Sequence, residues 1–338
     1  MRKLIWPGRI LAVFTLLAGL AFFILWFFPS DSYLLLPDKA HPVAPLVRVK
    51  GGKSQARGPG GIYFLDVIER KATLLEDLFP SIRTGATLVP RSAIKPPGVS
   101  DAASHRADLS EMVRSQQVAA AVALRELGYK VVARPSGALV SAIAPGAPAD
   151  GALVPTDVIT TVDGHPVRTP DDARALLRQQ RPGQTVTLGV RDQHGIRQVP
   201  LKTIADPGDR THAIIGVLIE QAAQISLPFP VTIDTGNVGG PSAGLALALE
   251  VMEKLGRDVD RGYRIAATGE LGLDGSVNPI GGVRQKIYGA RQSGVDILLV
   301  PAGDNADVAR RYAGKVRVIP VKTFRQALRS LATLPKKG

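Results

Sequence analysis

The most pronounced hydrophobic pattern in the chain is an uncharged apolar run from Ile10 to Phe28. A helix of that length rises about 28 Å at 1.5 Å per residue, which is close to the hydrocarbon thickness of a bilayer. Arg2, Lys3 and Arg9 precede the run, and a Pro-Ser-Asp sequence follows it. Because positively charged flanks stay on the cytoplasmic side, residues 1–30 are predicted to form a single-pass cell-membrane anchor with a cytoplasmic N-terminus and an extracellular body.

Two other interpretations of this run stay open. A cleaved signal peptide would have a shorter apolar stretch and a small-x-small cleavage site, which the exit sequence Trp-Phe-Phe-Pro-Ser-Asp lacks. A buried core helix is the other interpretation, and the basic flanks argue against it. With either an anchor or a signal peptide, the body is expected outside the cytoplasm.

The pattern after the apolar run predicts an α+β body. Residues 31–60 are rich in Pro, Gly and Lys and are interpreted as a linker with one short strand at Pro45–Val49. The apolar, β-branched segment Ile62–Arg70 predicts a strand, and Thr73–Pro80 predicts a short helix or turn. Apolar positions recur at three-and-four spacing from Ala107 to Leu127, which predicts a helix that stops at the following glycine.

Residues 127–203 show the order strand, turn, short helix, strand, tight turn, helix and strand pair. The signals are a hairpin turn at Asp163-Gly164, a helix capped by Thr169, and alternating strands at Thr185–Val190 and Arg197–Leu201. This order indicates a small module with its own sheet.

The module resembles a bacterial PDZ domain. The match is carried by Gly137, Pro145, Ala149, Asp157, Ile159, Asp163 and Gly164. The resemblance implies that a peptide strand adds to an open sheet edge, with its terminal carboxylate held by backbone N–H groups. It implies a carboxylate cradle at Gly128, Tyr129, Lys130 and Val131, where the usual Gly-Leu-Gly-Phe sequence is absent. The alternative is that the module only docks onto the rest of the protein.

Composition narrows the classes of function for this chain of 338 residues. The absence of cysteine excludes disulfides, thiolate metal sites and cysteine nucleophiles. The five histidines are scattered and none lies in an H-E-x-x-H sequence, so we expect no metal centre. The basic residues are dispersed and no nucleic-acid-binding motif is present, so the net charge of +13 favours an anionic membrane surface over nucleic acid.

The first segment with candidate chemistry is Gly239-Gly-Pro-Ser-Ala-Gly-Leu, which opens an apolar helix. Proline fits the first position of a helix, so Ser242 is predicted in the first turn, where free N–H groups and the positive dipole end lie. A hydroxyl nucleophile beside oxyanion donors needs this setting. Most serines in such a position are only caps, so the motif alone does not establish catalysis.

The second segment is a predicted strand, hairpin and helix over residues 264–292, entered through Gly281-Gly282. Lys286 falls about one turn into the helix, beside the apolar stripe formed by Val283, Ile287 and Ala290. Burial lowers the pKa of a lysine from about 10.4, and only the neutral amine can take a serine proton. The alternative is an exposed lysine that extends its stem over an amphipathic helix.

Together, these segments resemble the proteolytic domain of Lon proteases over about residues 210–330. The motifs that carry the resemblance are G-G-P-S-A-G, T-G-E-L-G-L-x-G-x-V-x-P-I-G-G and V-R-Q-K-x-x-G-A-R, in this order and spacing. The resemblance implies Ser242 as nucleophile and Lys286 as general base. It also implies that Thr268 orients the lysine amine, and that the backbone at Gly240 and Ala243 supplies oxyanion donors.

The whole layout resembles the Lon-like, PDZ-containing membrane proteases of Gram-positive bacteria, often called the YlbL family. It divides the chain into residues 1–30 as tip and anchor, 31–126 as linker, strands and a helix packing on the body, 127–203 as PDZ domain and 204–338 as proteolytic domain. No G-x-x-x-x-G-K-[ST] sequence is present; before Gly52-Lys53-Ser54, Val47 stands where the first glycine belongs. We therefore expect no ATP-driven motor and no cofactor.

The sequence thus predicts a membrane-anchored, ATP-independent serine endopeptidase that acts on exported or membrane-associated polypeptides. The alternative is a non-catalytic PDZ adaptor with an inactive protease fold; the intact glycine frames of both motifs argue against it. An esterase or amidase of another acyl group is a weaker alternative. Because Lon-type domains tend to form rings, a homo-oligomer is also consistent with the resemblance.

Overall fold

A computed structural model describes residues 6–52, 60–94, 101–192 and 194–337 of the chain. Side chains are described from Leu11 onward, except at positions 102, 103 and 106. Arg2, Lys3 and residues 53–59 of the predicted linker lie outside these ranges.

The helices begin and end close to the capping signals in the sequence. They are α1 (Trp6–Phe27), α2 (Leu74–Leu78), α3 (Arg91–Ile94), α4 (Asp101–Glu126), α5 (Pro170–Arg178), α6 (Gly244–Lys254), α7 (Val283–Gln292), α8 (Asp304–Tyr312) and α9 (Phe324–Ala332). Thr73 and Thr169 cap α2 and α5 through reciprocal bonds with Glu76 and Asp172, three positions further on. The helices predicted at 73–80, 107–127 and 169–180 are confirmed, and α4 begins earlier than predicted, at Asp101.

The strands range from two residues to fourteen. They are β1 (Pro29–Pro42), β2 (Val47–Val49), β3 (Gly61–Thr73), β4 (Thr87–Pro90), β5 (Val132–Ile143), β6 (Val158–Val162), β7 (His165–Pro166), β8 (Thr185–Asp192), β9 (Gly195–Lys202), β10 (Ile204–Ala205), β11 (Ala213–Ile214), β12 (Val217–Ser226), β13 (Val231–Ile233), β14 (Arg264–Ala267), β15 (Glu270–Leu271), β16 (Val277–Asn278), β17 (Ile297–Pro301) and β18 (Arg317–Val321). The strands predicted at 62–70, 185–190 and 197–201 are confirmed as β3, β8 and β9.

The main sheet has six strands in the order β18-β17-β14-β3-β1-β4. Strands β18, β17, β14 and β3 run parallel, whereas β1 lies antiparallel between β3 and β4. The prediction of a linker over residues 31–60 is therefore wrong for residues 31–42, because β1 is hydrogen-bonded on both sides. The short strand predicted at Pro45–Val49 is confirmed as β2, which pairs with β13.

Helices cover both faces of this sheet because its strands alternate their apolar side chains. Ile265 and Ala267 of β14 lie in one core cluster with residues of α4, α6 and α9, whereas Ala266 lies in another with α7 and α8. Helices α6 and α7 therefore pack on opposite faces. The first turns of the two helices can approach each other only beyond the end of the sheet, where β14 stops at Ala267 and Thr268 follows.

A second sheet has the order β12-β5-β6-β8-β9, with β7 paired to β6. Helix α5 packs on it through the buried Ala173 and Leu177. The predicted hairpin turn is confirmed, since Asp163 and Gly164 have φ values of 49° and 80° between β6 and β7. Strand β12 pairs with β5 over its whole length, so residues 217–226 belong to this sheet by hydrogen bonding. The strand pairing thus does not follow the division predicted at residue 203.

Helix α1 leads directly into the main sheet. It ends at Phe27, β1 begins at Pro29, and the Leu74 N–H of α2 donates to the Phe28 carbonyl oxygen at 3.0 Å. Most of its described apolar side chains are exposed. Within the part of the chain that the structure describes, no helix has the length and apolar character needed to cross a membrane.

Candidate active site

Ser242 lies at a sharp bend between an extended segment and α6. Gly240 has a φ of 79° and a ψ of 157°, a conformation that glycine adopts without strain. A single 3₁₀ turn, Pro241–Ala243, follows, and α6 begins at Gly244. The bend therefore puts the Ser242 hydroxyl beside the N–H groups and the positive dipole end of a helix, as the sequence predicts.

Helix α4 holds this bend in place. The Gly240 N–H donates to the Asp108 carbonyl oxygen at 2.7 Å, and the Ser115 hydroxyl donates to the Pro241 carbonyl oxygen at 3.0 Å. A Cβ on Gly239 would lie 2.7 Å from the Cβ of Asp108, so the contact requires glycine at this position. The sequence analysis missed the role of α4, because its amphipathic pattern predicts a packed helix but not what it packs against.

Lys286 reaches the same point from the opposite face of the sheet. Its helix α7 begins after Gly282, whose φ of 68° is left-handed and where a Cβ would lie 2.7 Å from Cγ2 of Val67 on β3. Lys286 is 4% exposed, and its Nζ lies 2.6 Å from Oγ of Ser242. The structure therefore brings the two residues of the predicted dyad into direct hydrogen-bond contact.

Burial sets the charge state of this amine. Desolvation lowers the pKa of Lys286 from 10.5 to about 8, and the negative charge of Asp66 acts against this change. With that pKa, about a tenth of the amine is neutral at pH 7. The register of β3 with β14, in which Tyr63 pairs with Ala266, carries Asp66 beyond the end of β14 and toward the dyad.

Thr268 ties the two halves of the dyad together. It follows β14 directly, and its Oγ1 lies 3.3 Å from Nζ of Lys286 and 3.3 Å from the Ser242 carbonyl oxygen, to which it donates. The Gly269 N–H donates to the same carbonyl oxygen at 2.8 Å. Thr268 therefore lies where the sequence analysis predicts it, in contact with the lysine amine.

The two predicted oxyanion residues, Gly240 and Ala243, differ in the hydrogen bonding of their backbone N–H groups. The N–H of Gly240 already donates to the Asp108 carbonyl oxygen at 2.7 Å, and an oxyanion role for the backbone around Gly240 stays a prediction. Ala243 directly follows Ser242 in the 3₁₀ turn and is buried. An oxyanion role for its backbone stays a prediction.

A separate cavity of about 610 Å³ opens beside the second sheet. One wall is α5, with Arg174, Leu177 and Arg178, and the other is the start of β12 with the residues before it, including Gly216 and Leu218. Because β12 is the end strand in the order β12-β5-β6-β8-β9, its second edge carries no paired strand among the described residues. An edge strand facing a helix across a groove can accept an added peptide strand.

The predicted carboxylate cradle does not line this groove. Gly128, with a φ of 86°, ends α4: its N–H donates to Arg125, and the N–H of Tyr129 donates to Leu124, both at 3.0 Å. The ring of Tyr129 packs edge-on against Phe229. The run 128–131 thus closes a helix. The sequence analysis missed the segment before β12 because its apolar residues were assigned to the following domain.

Comparison with known families covers both parts of the chain. Residues 229–333 match the Lon protease (S16) C-terminal proteolytic domain. Lon protease 2 of Bacillus subtilis is 34% identical over 111 residues, which is 33% of this chain and 19% of that protein. Lon protease 1 of Sorangium cellulosum is 44% identical over 101 residues, 29% of this chain and 12% of that protein.

The C-terminal part of the chain therefore matches a Lon-type proteolytic domain. It carries Ser242, Thr268 and Lys286, and the chain spans about a fifth or less of the length of the curated relatives that it matches. Residues 125–203 match the PDZ domain family. The PDZ domain of an SdrC-like protein from Listeria monocytogenes is 22% identical, covers 25% of this chain and 87% of its own, and superposes with a TM-score of 0.23.

Acidic side chains lie on α4 and β15, two elements that contact the turn carrying Ser242. Burial, together with the charges of Asp108 and Glu270, raises the pKa of Glu111 on α4 to about 7. Burial also raises the pKa of Glu270, while Arg114 lowers it. Arg114 in turn lies 3.8 Å from Glu220 on β12. These residues come from α4, β12 and β15, so no single sequence motif could reveal the cluster.

One group of carboxylates among the described residues has a spacing suited to a metal ion. Oxygen atoms of Glu253, Asp258 and Asp260 lie within 4.8 Å of one another. Glu253 already accepts the N–H groups of Val259 and Asp260 at 2.6 and 2.7 Å, and Asp258 pairs with Lys336 at 2.8 Å. The Asp260 carboxylate accepts the N–H of Gly262 at 2.7 Å, so all three carboxylates have a structural role in the turns after α6.

Proposed function

We propose that this protein is a membrane-anchored, ATP-independent serine endopeptidase with a Ser242–Lys286 dyad. The observation that carries the proposal is the 2.6 Å contact between Oγ of Ser242 and a lysine amine that is 4% exposed. A buried lysine beside a helix-start serine is a costly arrangement for stability alone, because an amine loses its hydration there. Proton transfer from the Ser242 hydroxyl to the amine is a function that explains why the lysine is buried there.

The geometry supports a two-step acyl transfer. The neutral amine of Lys286 takes the proton of Ser242 as Oγ attacks the peptide carbonyl, and the resulting ammonium gives that proton to the leaving amine. Water then attacks the acyl-enzyme with Lys286 again as base. Thr268 orients the amine through its hydroxyl. The N–H groups of Gly244 and Leu245 at the start of α6 already donate to backbone carbonyl oxygens, so the N–H of Ala243, directly before α6, is the candidate donor to the oxyanion.

Substrates are proposed to be polypeptides that are already flexible. The chain contains no P-loop sequence, so nothing in it supports coupling of ATP hydrolysis to unfolding. The groove between α5 and β12 supports peptide binding by the PDZ domain, with the carboxylate of the peptide near Gly216 and the basic Arg174 and Arg178. The PDZ domain would thereby select chains by their C-terminal ends.

Attachment to a membrane through residues 10–28 is part of the proposal, with the N-terminus cytoplasmic and the body extracellular. The exposed apolar side chains of α1 support it, and so do Leu78, Phe79 and Ile82 at the end of α2, which are 62%, 55% and 51% exposed beside α1. Apolar side chains clustered at the exit of an anchor are suited to the lipid interface.

The proposed chemistry is tested with the full chain in detergent and an unfolded protein such as casein, without ATP. Ser242→Ala and Lys286→Arg should both remove cleavage, the second because a guanidinium stays protonated. Ser330→Ala on α9 is the control and should keep full activity. Unchanged cleavage by Ser242→Ala would refute the assignment, and inactive wild type with intact peptide binding would favour the PDZ adaptor.

Membrane attachment is tested separately with spin labels, because the chain has no cysteine of its own. Phe22→Cys and Phe79→Cys, labelled in reconstituted bilayers, should be accessible to oxygen and shielded from a polar nickel chelate. Ile196→Cys, at a 68% exposed position on β9, should show the opposite accessibility. Equal accessibility of all three labels to the chelate would refute attachment.

A further inference from the structure

Strand β12 and the catalytic serine lie against the same helix, α4. Strand β12 forms one wall of the groove beside α5, which we call the PDZ groove. Glu220 of β12 is 3.8 Å from Arg114 of α4. The next residue, Ser115, donates to the carbonyl oxygen of Pro241 at 3.0 Å, and Pro241 directly precedes Ser242. The groove and the dyad are therefore connected by a short series of contacts across α4.

The charges of the groove fix the direction of a bound chain. The cavity at the start of β12 is bordered by Arg174, Arg178 and His212, with Asp206 as the one acidic side chain among its lining residues. A peptide carboxylate is stabilised at this basic end. A strand that adds to β12 from there runs antiparallel to it, so its upstream residues pass Glu220.

We propose that the protease measures its cut from the C-terminus of the substrate. The PDZ groove holds the terminal residues on β12, and the chain then crosses α4 to Ser242, so the cut falls at a set distance rather than at a set side chain. From Gly216 to Glu220 the strand covers about 13 Å. The crossing to Ser242, about one helix diameter plus the contacts of 3.8 and 3.0 Å on its two sides, adds roughly 15 to 20 Å. An extended chain spans that path with about nine residues, so cuts are expected about six to twelve residues from the C-terminus. This inference rests on the proposed function.

The test uses the full-length protein and a set of flexible peptides analysed by mass spectrometry. All peptides share the same upstream sequence and the same last four residues, with zero to four Gly or Ser residues inserted between them. If distance governs the cut, each inserted residue moves the cut by one position along the shared upstream sequence, toward the insertion. Replacing the terminal carboxylate by an amide should lower kcat/KM at least tenfold.

A matched pair of variants separates the groove from the rest of the protein. Leu218→Glu adds a negative charge at a 61% exposed position that lines the cavity, whereas Ile196→Glu adds the same charge on β9 at the other end of the sheet. Leu218→Glu should abolish the preference for a free carboxylate, and Ile196→Glu should keep it. Ile196→Glu should also cleave amidated peptides as the wild type does.

The outcomes distinguish this inference from the proposed function. Cuts that depend on Ser242 but stay at the same side chains, or that are equally fast with amidated peptides, would refute measurement from the C-terminus and leave the protease intact. Cleavage that persists in Ser242→Ala would refute the proposed function itself.

Discussion

Replacing Lys286 by methionine should remove activity and stabilise the fold below pH 8. Methionine has nearly the same length and shape, so it fills the space between α7 and the sheet without a buried charge. The variant therefore isolates the free energy of burying the lysine amine from the effects of packing.

The magnitude follows from the pKa. Below pH 8 the amine is protonated in both states, and its pKa falls from 10.5 in the unfolded chain to about 8 in the folded one. A difference of that size destabilises the folded state by about 3 kcal/mol. Two hydrogen bonds, to Ser242 and Thr268, offset part of this at about 1 kcal/mol each. We expect Lys286→Met to raise the free energy of unfolding by about 1 to 2 kcal/mol at pH 6 to 7.

The sign of the pH dependence is the stronger test. Between pH 8 and 10.5 the unfolded state still binds the lysine proton and the folded state does not, so wild-type stability rises with pH. The advantage of the variant should therefore shrink across this interval and vanish above it. The only two tryptophans lie in the N-terminal segment, so tryptophan fluorescence would not report unfolding around the dyad. Pulse proteolysis in urea measures the unfolding free energy of the full chain instead.

Lys315→Met is the control, because Lys315 is exposed on a turn after α8. It should change the unfolding free energy by less than about 0.5 kcal/mol at every pH. A Lys286→Met variant that is less stable than wild type at pH 6, or whose advantage does not fall between pH 8 and 10.5, would show that the amine is not desolvated in the folded protein.

Three further outcomes are expected. Cleavage by the wild type should rise with pH and reach half its plateau near pH 8, since Lys286 must lose its proton to act as base; a flat profile from pH 6 to 10 would contradict this. Thr268→Val should lower kcat by about tenfold to a hundredfold because the amine loses a hydrogen bond, with Thr268→Ser near wild type and KM unchanged in both. Gly282→Ala should destabilise by about 1 to 3 kcal/mol in urea titrations, since its φ is left-handed and the added Cβ meets Val67; Gly281→Ala, with open space around it, should not.

Local signals in the sequence were sufficient for elements whose ends are fixed by nearby residues. Thr73 and Thr169 cap helices through bonds to residues three positions away, and Asp163 and Gly164 both adopt the positive φ values that a two-residue hairpin turn needs. The dyad was also predictable, because Ser242 and Lys286 each lie in a long glycine-framed motif. The distance between them, however, depends on two helices meeting at the end of β14.

Strand β1 was missed because long-range pairing overrides its composition. Its prolines and charged residues suggest a loop, yet Leu34 is fully buried, and Pro37 lies at an irregularity in the pairing with β3, where a missing N–H is tolerated. The peptide groove was missed for a related reason. The position of a strand at the edge of a sheet depends on how all the strands pair. The residues of β12 alone do not indicate that it is an edge strand.

The direct passage from α1 into β1 has a consequence for any soluble form of this protein. Only Phe28 separates the helix from β1, which pairs with β3 and β4. No flexible linker that a protease could cut therefore lies between α1 and the sheet. A protease acting between positions 30 and 42 would remove part of the sheet on which α7 packs, rather than release an intact body. Under the proposed membrane attachment, shedding and inactivation would then be one event, and a truncated version should retain every residue from Pro29 onward.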